Sequence, residues 1–217
     1  MKIGFIGCGN MATAMLKGIL KSGEVEASDM IASAKSDKTR EKIEKELGIR
    51  KADTNAQVVD FADVVFLAVK PQFLEGVLDE IRDSVKAGQI FISIAPGKTL
   101  QWLGERLGEN TKVIRTMPNT PAMVGEGMTA LCVNELVTEE EIALAVKLCD
   151  TFGKTEVIPE HLMDAVVGVS GSSPAYVFMF LEAMADAAVA DGMPRAQAYK
   201  FAAQSVLGSA KLMLETG

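Results

Sequence analysis

Short apolar runs alternate with amphipathic stretches through the first two thirds of the 217-residue chain. Ile3–Ile6 reads as a strand, and Met11, Met15, Leu16, Ile19 and Leu20 then draw one helical stripe. Met30–Ser33 predicts a second strand, and Asp37–Leu47 a charged amphipathic helix stopped at Gly48. Val64–Ala68 predicts another strand before Lys70-Pro71, where Pro71 suits the first turn of a helix running through Ile81. Gln89–Ser93 stops at Pro96-Gly97, and Lys112–Arg115 precedes the loop Met117-Pro118-Asn119-Thr120-Pro121. Met128–Val133 and Lys154–Ile158 are β-rich and bracket a helix over Thr138–Phe152. This alternation predicts an α/β fold, a mostly parallel sheet with helices on both faces.

The pattern changes after Pro159. Two long helical stretches follow, from Ser172-Ser173-Pro174 to Asp191-Gly192 and from Pro194 toward Gly217. Val177, Phe178, Phe180, Leu181, Met184, Ala187 and Ala188 spread apolar surface over more than one face of the first. Two helices do not hide that much apolar surface from water by themselves, so a partner subunit is the expected cover. The division expected is residues 1–158 as one domain and 159–217 as a helical one.

The turn after the first strand changes the picture most. Gly7-x-Gly9-x-x-Ala12 sits between a predicted strand and a predicted helix, the context that a dinucleotide-binding unit requires. Gly7 allows the sharp turn, Gly9 lets a pyrophosphate approach the backbone, and Ala12 lets the helix pack on the strand. The helix N-terminus then offers free N–H groups and a positive dipole end to phosphate. The sheet is accordingly expected to be a Rossmann-type doubly wound one.

A carboxylate at the end of the second strand would bind a ribose 2′-hydroxyl and mark NAD. Here that strand ends Ser33-Ala34-Lys35-Ser36, with hydroxyls and an ammonium instead. Lys35 is the only positive charge expected nearby, and the set suits a 2′-phosphate. The expected cofactor is NADPH, with NADH possible; the plain alternative is a solvated polar turn.

Formal net charge is −7, which argues against nucleic acid and anionic membrane as partners. The apolar stretch Tyr176–Leu181 is broken by Glu182 and Asp186, short of the ~20 residues that span a bilayer. No secretory signal opens the chain, and the three cysteines (Cys8, Cys132, Cys149) fit reduced cytoplasmic thiols. No Ser-His-Asp order, HExxH or His/Cys cluster appears, so no metal ligand and no catalytic residue is assigned. His161, the single histidine, reads as a surface residue. Only Lys70 and Glu160 offer themselves as a base.

Four segments carry a resemblance across the whole chain: GFIGCGNMATAM at the start, LAVKPQ at 67–72, RTMPNTPAMVGEGMTAL at 115–131 and SGSSPAYVFMFLEAMADAAVADGMPR at 170–195. Together they resemble the pyrroline-5-carboxylate reductase family. The resemblance implies NAD(P)H-dependent reduction of the cyclic imine 1-pyrroline-5-carboxylate to L-proline, the last step of proline biosynthesis. It implies that Ile6, Gly7, Cys8, Gly9, Asn10 and Met11 hold the pyrophosphate. Ser33, Ala34, Lys35 and Ser36 would hold the 2′-phosphate, and Asn55 a ribose hydroxyl. Ala68, Val69, Lys70 and Pro71, with Ala95 and Pro96, would flank the nicotinamide. Asn119, Thr120 and Glu160 would lie by the substrate, and the last helices would interlock subunits into a homodimer or a higher even-numbered homo-oligomer.

The chain departs from the family pattern in three places. Ser173 stands where the family has glycine, and Pro96 where it has alanine. The Ser-Pro-Gly-Gly-Thr-Thr pattern that holds the substrate carboxylate in the family does not occur in the 217 residues. A polypeptide ending at Gly217 is therefore expected to bind cofactor and reduce imine weakly. The alternatives are a non-catalytic or regulatory nucleotide-binding homologue and a β-hydroxyacid dehydrogenase-type oxidoreductase.

Overall fold

The computed structural model describes residues 1–217, which pack as two compact units, Met1–Gly171 and Ser172–Gly217. The first unit holds one eight-stranded sheet in the order β3-β2-β1-β4-β5-β6-β7-β8. Its strands are β1 (Ile3–Ile6), β2 (Met30–Ser33), β3 (Arg50–Ala52), β4 (Val64–Leu67), β5 (Ile90–Ser93), β6 (Lys112–Met117), β7 (Gly127–Val133) and β8 (Gly153–Val157). Its helices are α1 (Asn10–Ser22), α2 (Asp37–Leu47), α3 (Asn55–Phe61), α4 (Pro71–Ile81), α5 (Leu100–Leu107), α6 (Glu139–Asp150) and the single turn α7 (Met163–Val166).

The four-residue strands β1, β2, β4 and β5 are buried along their whole length. Both faces are covered, which is why they read as continuous apolar runs rather than as alternating ones. One face packs Ile3, Phe5, Phe66 and Ile92 against Met15, Leu16 and Ile19 of α1 and Leu148 of α6. The other packs Ile6, Val65, Leu67 and Phe91 against Val58 of α3, Leu74 and Leu78 of α4 and Leu103 of α5. Phe5 and Phe66 stack across neighbouring strands with centroids 4.4 Å apart.

Three elements lie outside the pattern expected from the chain. β3 is three residues long, two of them exposed, so it carries almost no apolar signal. α3 is short, but Thr54 and Gln57 close a capping box at its start, a signal legible in the sequence. α5 is only eight residues long and carries Gly104, a poor helix former, within it, and its N-cap Thr99 accepts the Trp102 N–H. β7 runs antiparallel to β6, while the other pairs are parallel. Residues 159–171 pack with the sheet unit, so its compact body reaches past the expected division at 158.

The second unit is the pair α8 (Ser173–Ala190) and α9 (Arg195–Thr216). Ala185 of α8 and Ala198 and Ala202 of α9 are its buried residues, and their small side chains let the two backbones approach. Phe178 is 66% exposed, and Phe180, Phe201, Leu212 and Leu214 are exposed as well. Leu181 and Met184 are half-buried. Counted through its 3₁₀, α and π turns, the helical run Glu160–Ala190 has 31 residues and is long and apolar enough to cross a membrane by length and composition. It is longer than the apolar stretch within it because Glu160, Asp164, Glu182 and Asp186 punctuate the run.

Candidate functional site

The strand order turns back between β1 and β4, and register aligns the strand ends there. Ile6 pairs with Ser33 on one side and Leu67 on the other, and Leu67 pairs with Ser93. Loops leaving β1 and β4 therefore diverge from one crevice, the place where open α/β sheets bind ligands. Gly7 N–H donates to Ser33 C=O at 3.1 Å, and Ala68 N–H to Ile6 C=O at 2.8 Å. Gly7 has φ +95°, and a Cβ there would meet the Ala68 carbonyl oxygen at 2.6 Å, so both conformation and space demand glycine.

Gly9 differs. A Cβ there meets nothing within 4 Å, so no packing contact of the chain calls for glycine. Gly9 is the N-cap of α1 and brings no capping side chain, which leaves the first-turn N–H groups without a side-chain acceptor. This is a cradle that fits a pyrophosphate. Cys8, inside the turn, is buried against Thr13, and burial pushes its thiol up. Ala12 is buried, as close packing of α1 requires. Ile6 is buried in the sheet, while Asn10 and Met11 open the helix.

A cavity of about 460 Å³ opens beside this turn. Of the residues singled out from the sequence, Gly7, Ser33, Ala34, Lys35, Asn55 and Val69 line it. Arg40, Asp53, Thr54, Phe73, Val77 and Glu80 line it too and were missed. Lys35 is thus not the only positive charge there; Arg40 is brought in by the first turn of α2. The helical spacing shows that Arg40 shares the Asp37 face but not that this face looks into a cavity. Asp53 and Glu80 bring carboxylates, although none stands at the end of β2 itself.

Asn55 organises the floor of the cavity. Its Oδ1 accepts the Ser33 hydroxyl at 2.7 Å, and its Nδ2 donates to Glu80 Oε2 at 2.7 Å. The Lys35 ammonium stands 5.5 Å from the centroid of the Phe73 ring. Ser36 does not line the cavity; its hydroxyl caps α2 by accepting the Thr39 N–H.

Ala68, Lys70 and Pro71 lie just outside the lining residues, with Lys70 exposed as N-cap of α4 and Pro71 in its first turn. Ala95 is buried with its N–H on Ser93 Oγ, and Pro96 is exposed beside it. Ile94 N–H donates to Leu67 C=O, which sets this loop next to the end of β4.

The residues expected near substrate follow β6 and β8. Asn119 is buried: its Oδ1 accepts the Met128 N–H at 2.8 Å, and its Nδ2 donates to Ser170 C=O at 3.0 Å. It ties the start of β7 to the π turn Val167–Gly171. Thr120 is exposed at the start of a 3₁₀ turn. Glu160 Oε1 accepts Arg115 Nη1 at 2.9 Å and the Leu100 N–H at 2.8 Å. Arg115, whose side chain is only 9% exposed, was legible as part of a motif but not as the partner of Glu160. His161 is exposed.

A family model described as NADP oxidoreductase coenzyme F420-dependent matches residues 2–97. Another, described as pyrroline-5-carboxylate reductase dimerisation, matches residues 160–217. The pyrroline-5-carboxylate reductase of Escherichia coli K12 is 52% identical over 216 residues, spanning 100% of this chain and 80% of that protein. A solved pyrroline-5-carboxylate reductase from Coxiella burnetii superposes with a TM-score of 0.93 at 33% identity, covering 99% of this chain and 80% of that one. The Plasmodium falciparum pyrroline carboxylate reductase, solved with NADP bound, superposes with a TM-score of 0.88 at 28% identity, covering 100% of this chain and 79% of that one. A chain matched along its full length in sequence and in fold belongs to the pyrroline-5-carboxylate reductase family.

Proposed function

We propose that this protein reduces 1-pyrroline-5-carboxylate to L-proline with NADPH, the closing step of proline biosynthesis. The observation that carries the reading is the crevice between the loops after β1 and β4, with its open glycine cradle and its cavity walled by Ser33, Lys35 and Asn55. When bound, NADPH supplies the hydride for the imine carbon. The backbone from Ile6 to Met11 holds the pyrophosphate, Ser33 to Ser36 take the 2′-phosphate, and Asn55 takes a ribose hydroxyl. Ala68 to Pro71, with Ala95 and Pro96, exclude water around the nicotinamide.

The substrate lies by Asn119, Thr120 and Glu160. A protonated imine is already electrophilic, so the site's task is orientation and desolvation rather than proton abstraction. Asn119 contributes by holding two loops in register. Glu160 commits Oε1 to Arg115 and Leu100, which leaves Oε2 to receive the imine N–H. No side chain is assigned a covalent or acid–base role.

Assembly is part of the proposal. Exposed Phe178, Phe180, Phe201 and Leu214 are apolar surface that a second copy covers, giving a homodimer or a higher even-numbered oligomer. On this reading the functional division falls at 158/159, with the cofactor residues, Asn119 and Thr120 before it and Glu160 and the dimerisation helices after it. A reducing, cytoplasmic setting is supported by the three free, buried thiols. The net charge of −7 supports small molecules rather than nucleic acid as partners.

The test is NADPH oxidation by the purified protein with pyrroline-5-carboxylate, with L-proline identified as product. Tight NADPH binding without proline formation, in the full natural polypeptide, would favour a non-catalytic homologue instead.

A further inference from the structure

One cation in the cavity wall has no task in the function proposed above. Arg40 sits on the first turn of α2 and lines the cavity with Ser33, Lys35 and Asn55. Its Nη2 meets Asp37 Oδ1 at 2.8 Å, one turn earlier on the same helix. The Asp37 carboxylate is 89% exposed and the Arg40 side chain 28%, so water competes for the pair and holds it weakly. Arg40 Nε is buried and has no hydrogen-bond partner. A buried guanidinium N–H without an acceptor is a cost that folded proteins normally avoid, and a guanidinium edge suits two parallel bonds to phosphate oxygens. The neighbouring hydroxyl of Ser36 is already engaged with Thr39, so it does not serve Arg40.

Resting on the NADPH reading above, we propose that Arg40 is a second cationic ligand of the cofactor's 2′-phosphate, alongside Lys35, and that Asp37 is its resting partner. On binding, the Nε edge of Arg40 turns to the phosphate and the exposed pair with Asp37 opens. A phosphate dianion offers more charge and two acceptors where Asp37 engages one nitrogen. Asp37 therefore works against the phosphate and lowers affinity for NADPH without touching the rest of the dinucleotide. Discrimination between NADPH and NADH is then set by the Asp37–Arg40 pair as well as by Lys35.

The test is equilibrium binding of NADPH, NADH, adenosine 2′,5′-bisphosphate and ADP to the purified full chain and to Arg40→Met, Arg40→Lys and Asp37→Asn. Losing a charge-assisted pair of bonds predicts NADPH and the bisphosphate about 10- to 100-fold weaker in Arg40→Met, with NADH and ADP unmoved. Arg40→Lys should recover part of that loss, since it keeps the charge without the fork, and shows that the helix still folds. Asp37→Asn should tighten NADPH severalfold and leave NADH alone. NADPH and NADH weakened equally in Arg40→Met, or NADPH unmoved, overturns the proposal while the cofactor reading stands. A parent chain that binds neither dinucleotide overturns both.

Discussion

Arg115 and Glu160 meet at 2.9 Å, and the oxygen that receives Arg115 also receives the backbone N–H of Leu100. One carboxylate thus joins β6, the start of α5 and the turn after β8. Glu160→Gln keeps the shape but leaves the Arg115 charge without its counterion, and Glu160→Ala removes both. Leaving a largely buried charge unpaired predicts a loss of ~1–3 kcal/mol, since Glu160 itself is partly exposed to water. Urea unfolding should place Glu160→Ala below Glu160→Gln and both below the parent. Turnover should fall with NADPH affinity kept, because the cavity lining does not include Glu160.

Lys35→Asp should turn cofactor preference toward NADH. The substitution puts a carboxylate beside Ser33 where a 2′-phosphate would be repelled and a ribose 2′-hydroxyl accepted. Titration of both nucleotides reads the ratio; a parent chain with equal affinity for the two would refute the role given to Lys35.

Asn119→Asp keeps the acceptor for Met128 but turns a donor into a carboxylate oxygen facing the Ser170 carbonyl. Stability should fall by ~1–3 kcal/mol. Imine reduction should fall further than folding alone explains, with NADPH binding intact. Equal losses in binding and turnover would place Asn119 in general scaffolding.

Phe178→Glu should yield a monomer or shift the association equilibrium by orders of magnitude, because a charge replaces an exposed aromatic on α8. Sedimentation velocity over a range of concentrations checks this. A parent protein that sediments as a monomer at micromolar concentration would remove the assembly proposal.

Burial pushes the Cys149 thiol up to about 12 and, with help from the Glu160 carboxylate, the Cys132 thiol up to about 11, both from 9.0. The folded chain thus holds these protons more tightly than the unfolded one. The stability they contribute is complete below pH 9 and is lost as pH climbs toward the folded values. Cys149→Ala should flatten that decline in urea midpoints measured across the alkaline range. An unchanged slope would show that other groups carry it.

Strands buried on both faces were legible because β1, β2, β4 and β5 (IGFI, MIAS, VVFL and IFIS) are short, mostly apolar runs that no solvent-facing position interrupts. β3 was not, since an edge strand of Arg50, Lys51 and Ala52 is chosen by pairing with β2 and not by its own apolar content. The glycine turn could be read because Gly7 has a local reason to be glycine and Gly9 stands at the motif's spacing between a strand and a helix. Arg40, Phe73 and Glu80 could not, because their meeting depends on how α2 and α4 are placed across the sheet. Glu160 was legible as a carboxylate in a suggestive motif, yet its tie to Arg115 spans 45 positions and only tertiary structure reports it.

The cavity-lining residues all fall between Gly7 and Glu80, while the exposed apolar helices begin at Ser173. Changes in the supply of reduced nucleotide in a cell would therefore select on a different stretch of polypeptide from changes in subunit choice. A lineage adapting to a new electron donor can alter codons in the amino-terminal stretch and leave those of the last two helices untouched.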